Sequence, residues 1–414
     1  MAEVNVRSVP SPATGACALM SNPNIICPDQ VRMTHRERFR RTMHFQSVDR
    51  VVHWEFGYLN ETRERWWKEG LPRDKDNDGK VEAYFGVDPT DWVPLNAGLF
   101  PGFTGQARVL EQREHSRVIE LPDGTIQEEK TDGIKTIPHY LKHAIASRDD
   151  WKRFKERLDP HTPGRRTVNY REIGQRLRTS DKPVGIWMGS FFGHHRDWAG
   201  FEGIAMLCID DRDLVEEMIR TTTDLLVHEL SAALSEVEVD YAAGWEDICF
   251  RNGPIISPRM FGEIVVPQIK RVTSLLKQHG VTVIWTDCDG DITQLVPLWL
   301  DAGINCMFPL EVHPGSDPVK FRRMYGRQIL LRGGLEKYRL ALGRQEIVDE
   351  LKRVEKVVQE GGYIPHGDHR IPEDVPYENY IYYTREKLNM LGWKKEDIEQ
   401  IEPLRPRRTA VTVP

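Results

Sequence analysis

The chain has 414 residues, a formal net charge of −6, 39% hydrophobic and 29% charged residues. That apolar share is enough for one large α/β domain or two smaller ones, and the acidic balance gives nucleic acid or anionic membranes no electrostatic hold. No window approaches about 18 uninterrupted apolar residues, so no membrane span is expected, and six scattered cysteines without a C-x-x-C pair fit reduced thiols in the cytoplasm.

Residues 1–30 are rich in Pro, Ser, Asn and Ala and have no period, which predicts a mobile tail. They also lack the basic-then-apolar order of a secretory signal. Short apolar runs then alternate with helical patterns. Strands are predicted at 50–56 ("RVVHWEF"), 91–95, 183–189, 239–246, 281–287, 304–311, 328–334 and 362–367. Each is rich in β-branched or aromatic residues and is bounded by Gly or Pro.

Helices are predicted between them. Residues 257–280 start with Ser257 as cap and Pro258 at the first position, and stop at Gly280. Residues 210–236 and 343–362 carry apolar side chains at helical spacing. Strand–helix alternation means parallel strands joined by right-handed crossovers. About eight such units predict an α/β fold of the (β/α)8 TIM-barrel type rather than an open sheet. No G-x-G-x-x-G follows the first strand, which argues against dinucleotide binding. Residues 105–141 break the alternation and read as antiparallel hairpins turned at Asp123-Gly124 and Asp132-Gly133. The expected organisation is a barrel over 31–395 with this insertion, and a second tail at 396–414 ("RPRRTAVTVP" at its end).

A parallel barrel gathers its active site at the C-terminal ends of the strands. Four strand ends offer charge there: Glu246 and Asp247; Asp287 and Asp289; Glu311 and His313; His366, Asp368 and His369. Asp287 and Asp289 could bind a metal, transfer protons as a coupled pair, or cap the next helix. Capping needs one carboxylate, and Asp291 suffices for it. That leaves Asp287, Asp289 and His366 as candidate catalytic groups. The aromatic stretch "GSFFGHHRDW" (189–198) follows another strand, so Trp187, Phe191 and His194, with Trp245 and Tyr380, are candidates for a substrate pocket. "DPHTPG" (159–164) matches a short cobalt-histidine pattern, but two prolines and the lack of a surrounding doubly wound domain reduce it to a turn.

"MTHRERFRRTMHFQSVDRVVHWEFG" (33–57), "GPIISPRMFGEIVVPQIKRV" (253–272) and "GGYIPHGDHRIPEDVPYENY" (361–380) resemble segments of the uroporphyrinogen decarboxylase-like superfamily. The likeness extends over about residues 33–393. True decarboxylases of that superfamily carry an R-Q-A-G-R stretch after the first strand, whose arginines hold substrate carboxylates. Here "HWEFGYLNETRERWW" (53–67) stands in its place, with Arg63 and Arg65 nearby.

The other branch contains zinc-dependent, corrinoid-linked methyltransferases with an H-x-C-G pattern, a later Cys and an upstream Glu. Laid on that pattern, "TDCDGD" puts Asp287 at the His and Asp289 at the first Cys. His369 falls at the second Cys and Glu246 at the Glu. The resemblance therefore implies a metal site of Glu246, Asp287, Asp289 and His369, holding zinc or another divalent ion. Cys288 would face away, because neighbouring strand residues alternate.

The implied activity moves a methyl group between a small O-, N- or S-methyl substrate and a corrinoid carried by a separate protein. A homodimer is the expected assembly. A metal-free decarboxylase and a non-catalytic ligand-binding barrel are the alternatives.

Overall fold

The computed structural model describes residues 26–27, 31–95, 106–132, 138–163, 165 and 167–405. The N-terminal tail expected over 1–30 and the turn at Asp132-Gly133 fall largely outside these residues. Of the C-terminal tail expected over 396–414, residues 396–405 are described, and they are folded. Lys395–Gln400 is helical and Glu402–Leu404 forms a 3-10 turn, because Ile398 and Leu404 bury their side chains against the barrel's outer layer.

The strands, in chain order, are β1 (Asp91–Val93), β2 (Arg108–Gln112), β3 (Ser116–Glu120), β4 (Ile126–Lys130), β5 (His139–Lys142), β6 (Val184–Gly189), β7 (Tyr241–Trp245), β8 (Cys249–Phe250), β9 (Gly253–Pro254), β10 (Val283–Asp287), β11 (Cys306–Phe308), β12 (Leu330–Leu335) and β13 (Tyr363–Gly367). Seven form one parallel sheet in the order β1-β6-β7-β10-β11-β12-β13. Helices fill the crossovers. Among them are Arg212–Leu234, capped by Asp211, and Arg344–Glu360. The expected helix over 257–280 begins as read, with Ser257 Oγ accepting from the Met260 amide at 3.2 Å, but divides at Val265 into Pro258–Ile264 and Val266–Gln278. Pro267 lies in the first turn of the second piece, where a missing N–H does no harm.

The eighth stave is the predicted first strand, and it differs from expectation. Residues 50–56 run through the wall without ladder pairing; one parallel bridge, Tyr58 to Ile371, follows them. Their side chains nevertheless alternate as a strand's do. Val52 and Trp54 enter the barrel's inner core beside Tyr241, Val283, Trp285, Cys306, Phe308, Leu330 and Ile364. Charged side chains stitch this stave to its neighbours. On one side Asp88, just before β1, takes a two-pronged bond from Arg50 (2.7 Å each) and accepts from the His53 amide at 3.0 Å. On the other, Glu55 accepts from the Gly367 amide of β13 and the Tyr383 hydroxyl, and pairs with fully buried Lys387.

The hairpin insertion is confirmed as a four-stranded antiparallel sheet, β2-β3-β4-β5. Its first turn is the expected one: Gly124 has φ +98° and Asp123 Oδ1 accepts from the Thr125 amide at 2.8 Å. No helix among the described residues is long and apolar enough to cross a membrane.

Candidate active site at the carboxyl end of the barrel

Side-chain parity positions this site. On β7, Tyr241 and Ala243 point into the barrel, and on β10 Val283 and Trp285 do the same. Two-residue alternation carries that inward direction to Asp247 on the first and to Asp287 and Asp289 on the second. The strands are paired in register, Asp287 opposite Trp245. As the chains leave the sheet the Asp289 amide donates to Asp247 Oδ1 at 3.1 Å. Asp247 takes φ +46°, a left-handed corner that acidic residues tolerate better than most. Arg196 fixes the corner by donating to the Asp247 carbonyl.

The outcome is a cluster of three carboxylates. One oxygen each of Asp247, Asp287 and Asp289 lies within 4.8 Å of the others, all at intermediate burial. Burial, then Asp247 and Asp289, push the Asp287 carboxyl well above its ordinary value. Burial and the Asp289 charge likewise raise Asp247. Asp289 Oδ1 is buried and has no hydrogen-bond partner among the described residues. Three crowded acids and an orphaned oxygen fit a divalent cation, which would neutralise the first and satisfy the second. His369 stands beside them, its Nε2 3.3 Å from Asp289 Oδ2. Burial pulls its imidazole down, but the Asp289 hydrogen bond and charge outweigh that and raise it.

Glu246, expected among the ligands, has a different role. Its parity is outward. Its carboxylate accepts from the amides of Phe191 (2.7 Å), Phe192 (2.8 Å) and Gly193 (2.9 Å), and so pins the turn after β6. Burial still pushes its carboxyl up to about 7 against those three amides. Gly193 is required there, because a Cβ would come within 2.3 Å of the Glu246 carbonyl oxygen. Asp247 is the acid that joins Asp287 and Asp289, and the inward parity of Tyr241 and Ala243 is the sequence signal that selects it.

The remaining candidates divide. His366 is buried inside the barrel, with Nδ1 donating to the Gly367 carbonyl at 2.8 Å and Nε2 facing Arg332 Nε at 3.2 Å. Burial and the Arg332 charge hold it neutral. Phe56 bridges the two histidines, 6.4 Å from the His366 ring and 5.3 Å from that of His369. His194 stacks on Trp198 at 5.6 Å and leans on Trp245 at 5.7 Å, next to the acids but not among them. Phe191 is buried, and Trp187 packs against the outer core. Tyr380 is a correction: it sits in the core with its ring 4.6 Å from Trp66 and its hydroxyl bonded to Tyr58 at 2.8 Å. Helical packing in the outer layer claims it.

Glu311 accepts from the Gly290 amide (3.0 Å) and pairs with Lys337 (3.0 Å), so it fixes the loop after β10. Gly290 has φ +81°, and a Cβ there would meet the Phe250 carbonyl at 2.7 Å. Asp291 accepts from the Thr293 amide at 3.0 Å in a turn, but it does not cap the next helix as expected: that helix starts at Val296, and its N-cap Leu295 has no side-chain cap bond. Cys288 faces outward, is 1% exposed and lies against Cys249. Arg63 pairs with Asp78 and Arg65 with Glu69. A groove of about 320 Å3 between the outer helices Arg344–Glu360 and Tyr377–Met390 shares no residue with this rim.

A family model described as uroporphyrinogen decarboxylase (URO-D) matches residues 134–385, more than half of the sequence. No curated protein matches it. Among solved structures, a methyltransferase from Methanosarcina mazei superposes with a TM-score of 0.53 at 13% identity, over 86% of this chain and 99% of its own. A B12-independent methionine synthase from Shewanella sp. W3-18-1, in complex with selenomethionine, matches with a TM-score of 0.34 at 14% identity, over 57% and 68%. At 13% identity the likeness to the first of these concerns the barrel architecture alone.

Proposed function

Because the chain belongs to the uroporphyrinogen decarboxylase (URO-D) family, we propose that it is a metal-dependent methyltransferase of the demethylase type, passing a methyl group from a small methylated substrate to a corrinoid on a separate protein. The observation that carries this reading is the Asp247, Asp287 and Asp289 cluster with its unsatisfied oxygen. These three carboxylates would hold the ion, and His369 orients Asp289. The all-oxygen set favours a hard cation such as magnesium or manganese, with zinc also compatible. When bound, the ion supplies positive charge to the heteroatom that loses its methyl group.

The chain's own residues do the rest. Glu246 fixes the turn after β6, and His194 from the helix that follows leans on Trp245, two residues before Asp247. Glu311 and Gly290 hold the loop that presents Asp289. The metal-free decarboxylase gains no support from the position of the missing arginine stretch. Arg63 and Arg65 are both paired with carboxylates of their own chain, so neither offers a vacant fork to a substrate rich in carboxylates.

Elemental analysis of the purified protein tests the proposal, repeated on Asp287→Ala and His369→Ala. We expect about one divalent ion per chain, lost in the first variant and weakened in the second. A corrinoid methylation assay follows, with added cob(I)alamin and methylated donors. Unchanged metal content in Asp287→Ala would remove the proposal.

A further inference from the structure

Arg332 lies where an ordinary barrel has an apolar residue. It is on β12, two residues after inward-facing Leu330, so its side chain enters the interior. The guanidinium centre is 4.3 Å from the Phe308 ring centroid, 4.9 Å from that of Trp285 and 5.1 Å from that of Trp54. Its Nε points at His366 Nε2, 3.2 Å away, while His366 Nδ1 donates to the Gly367 carbonyl. That carbonyl fixes the tautomer, leaving Nε2 with a lone pair for Arg332. His366 is thus a positioning residue that orients the fork.

Among the described residues Arg332 makes no ion pair. Asp287 and Glu82 act on its charge only at longer range. Guanidinium has five N–H groups, and only the one on Nε has a partner among those residues. Aromatic faces stabilise such a cation by about 0.5–2 kcal/mol. The side chain is half-buried rather than sealed off, so its remaining N–H groups stay open to a partner from outside the chain. Register puts the group on a useful tier. Met307 pairs with Leu331 and Asp287 with Phe308, so Arg332 sits level with Phe308 and Asp287, and the Asp247 and Asp289 carboxylates begin one step above.

We propose that Arg332 is the anchor for a carboxylate on the substrate, so that this enzyme takes small methylated acids rather than neutral ethers or amines. The inference rests on the reading above that the acid cluster is the reaction centre. An acid seated on the Arg332 fork, walled by Trp54, Trp285 and Phe308, extends its other end towards Asp287 and Asp289. A planar carboxylate suits a planar fork, and the low-polarity wall strengthens the pair. The apolar wall suits an aromatic or short aliphatic body. A small molecule with no negative group would leave the fork unpaired.

Calorimetric titration tests this, with acetate, methoxyacetate, benzoate and 4-methoxybenzoate each set against its neutral amide. In the wild-type protein at least one acid binds ten-fold or more tightly than its amide. Arg332→Met abolishes that preference, and Arg332→Lys keeps part of it, because charge without a fork holds a carboxylate less well. His366→Gln weakens acid binding while leaving amide binding unchanged. Thermal unfolding of each variant separates a lost anchor from a lost fold. Equal binding of every acid and its amide by the wild-type protein would overturn the inference, and so would a preference that survives in Arg332→Met. Because the titration reads binding rather than turnover, a failed metal or methyl-transfer assay would sink the preceding proposal and leave this result standing.

Discussion

Replacing Asp287 with Asn should stabilise the metal-free protein and destroy its response to metal. The three carboxylate oxygens lie within 4.8 Å of one another. At that separation and an effective dielectric of about 20, each pair of unit charges repels by about 3.5 kcal/mol. Removing one charge of three relieves two pairs, about 7 kcal/mol before screening. Protonation sets a lower ceiling. An acid with an ordinary value of 3.8 takes up a proton at pH 7.5 for about 5 kcal/mol, and escapes repulsion beyond that. The relief is therefore about 2–5 kcal/mol after solvent screening.

Unfolding entropy of about 2 cal/mol/K per residue makes 1 kcal/mol worth about 1 °C in a chain of this length. Asp287→Asn should accordingly raise Tm by about 2–6 °C in EDTA. The wild-type protein should gain about 3 °C when a divalent ion is added at a hundred-fold excess over its Kd, and the variant should gain little. Scanning calorimetry with and without manganese or zinc measures both. A variant that is less stable than wild type in EDTA, yet still stabilised by metal, would refute the reasoning about the cluster.

Stability of the metal-free protein should fall as pH rises from about 6.5 to 8, above the range in which His53, His194, His195 and His366, all lowered by burial, work the other way. Asp287, Asp247 and Glu246 all have folded-state values above their ordinary ones, so the folded chain binds more protons than the unfolded chain in that window. His369, also raised, contributes stability below its ordinary value that is lost as pH climbs through the folded one, which adds to the same slope. A Tm that is level or rising between those limits would contradict it. Glu246→Ala should lower stability by about 3 kcal/mol or more, since three buried amides lose their acceptor, while metal content measured per folded chain stays at the wild-type level. Lys387→Ala should cost about 3–5 kcal/mol by stranding buried Glu55; chemical denaturation measures it, and Lys387→Ala combined with Glu55→Gln should recover part of the loss.

Much of the barrel was legible because its strands are short apolar runs with clear punctuation. β6, β7, β10, β12 and β13 fall within a residue or two of the predicted bounds. The first stave was legible as an extended apolar run, but its inward face and its joints were not. Asp88 is 38 residues from Arg50, and Lys387 is 332 residues from Glu55. Long-range pairings of that kind leave no local pattern. In the site, Asp287 and Asp289 follow from alternation along β10. The same rule applied to β7 selects Asp247 over Glu246, whereas the family pattern selects Glu246. Arg332 is hidden in sequence because one arginine in an apolar strand looks like a surface residue until the inward parity of Leu330 is known. Tyr380 was misplaced because an aromatic near a rim motif can face either the rim or the core, and only packing against Trp66 decides.

The closure of this barrel has an evolutionary corollary. Six of its joints are backbone ladders, whose amides every substitution other than proline leaves in place. The joints flanking residues 50–56 have no ladder, only isolated backbone bonds such as the Asp88 amide to the His53 carbonyl at 2.8 Å, and side-chain pairs reinforce them: Arg50 with Asp88, and Glu55 with Lys387. A single codon change can loosen or tighten those side-chain pairs without touching the acidic rim, so the wall's cohesion is more open to selection at this seam than around the rest of the circumference.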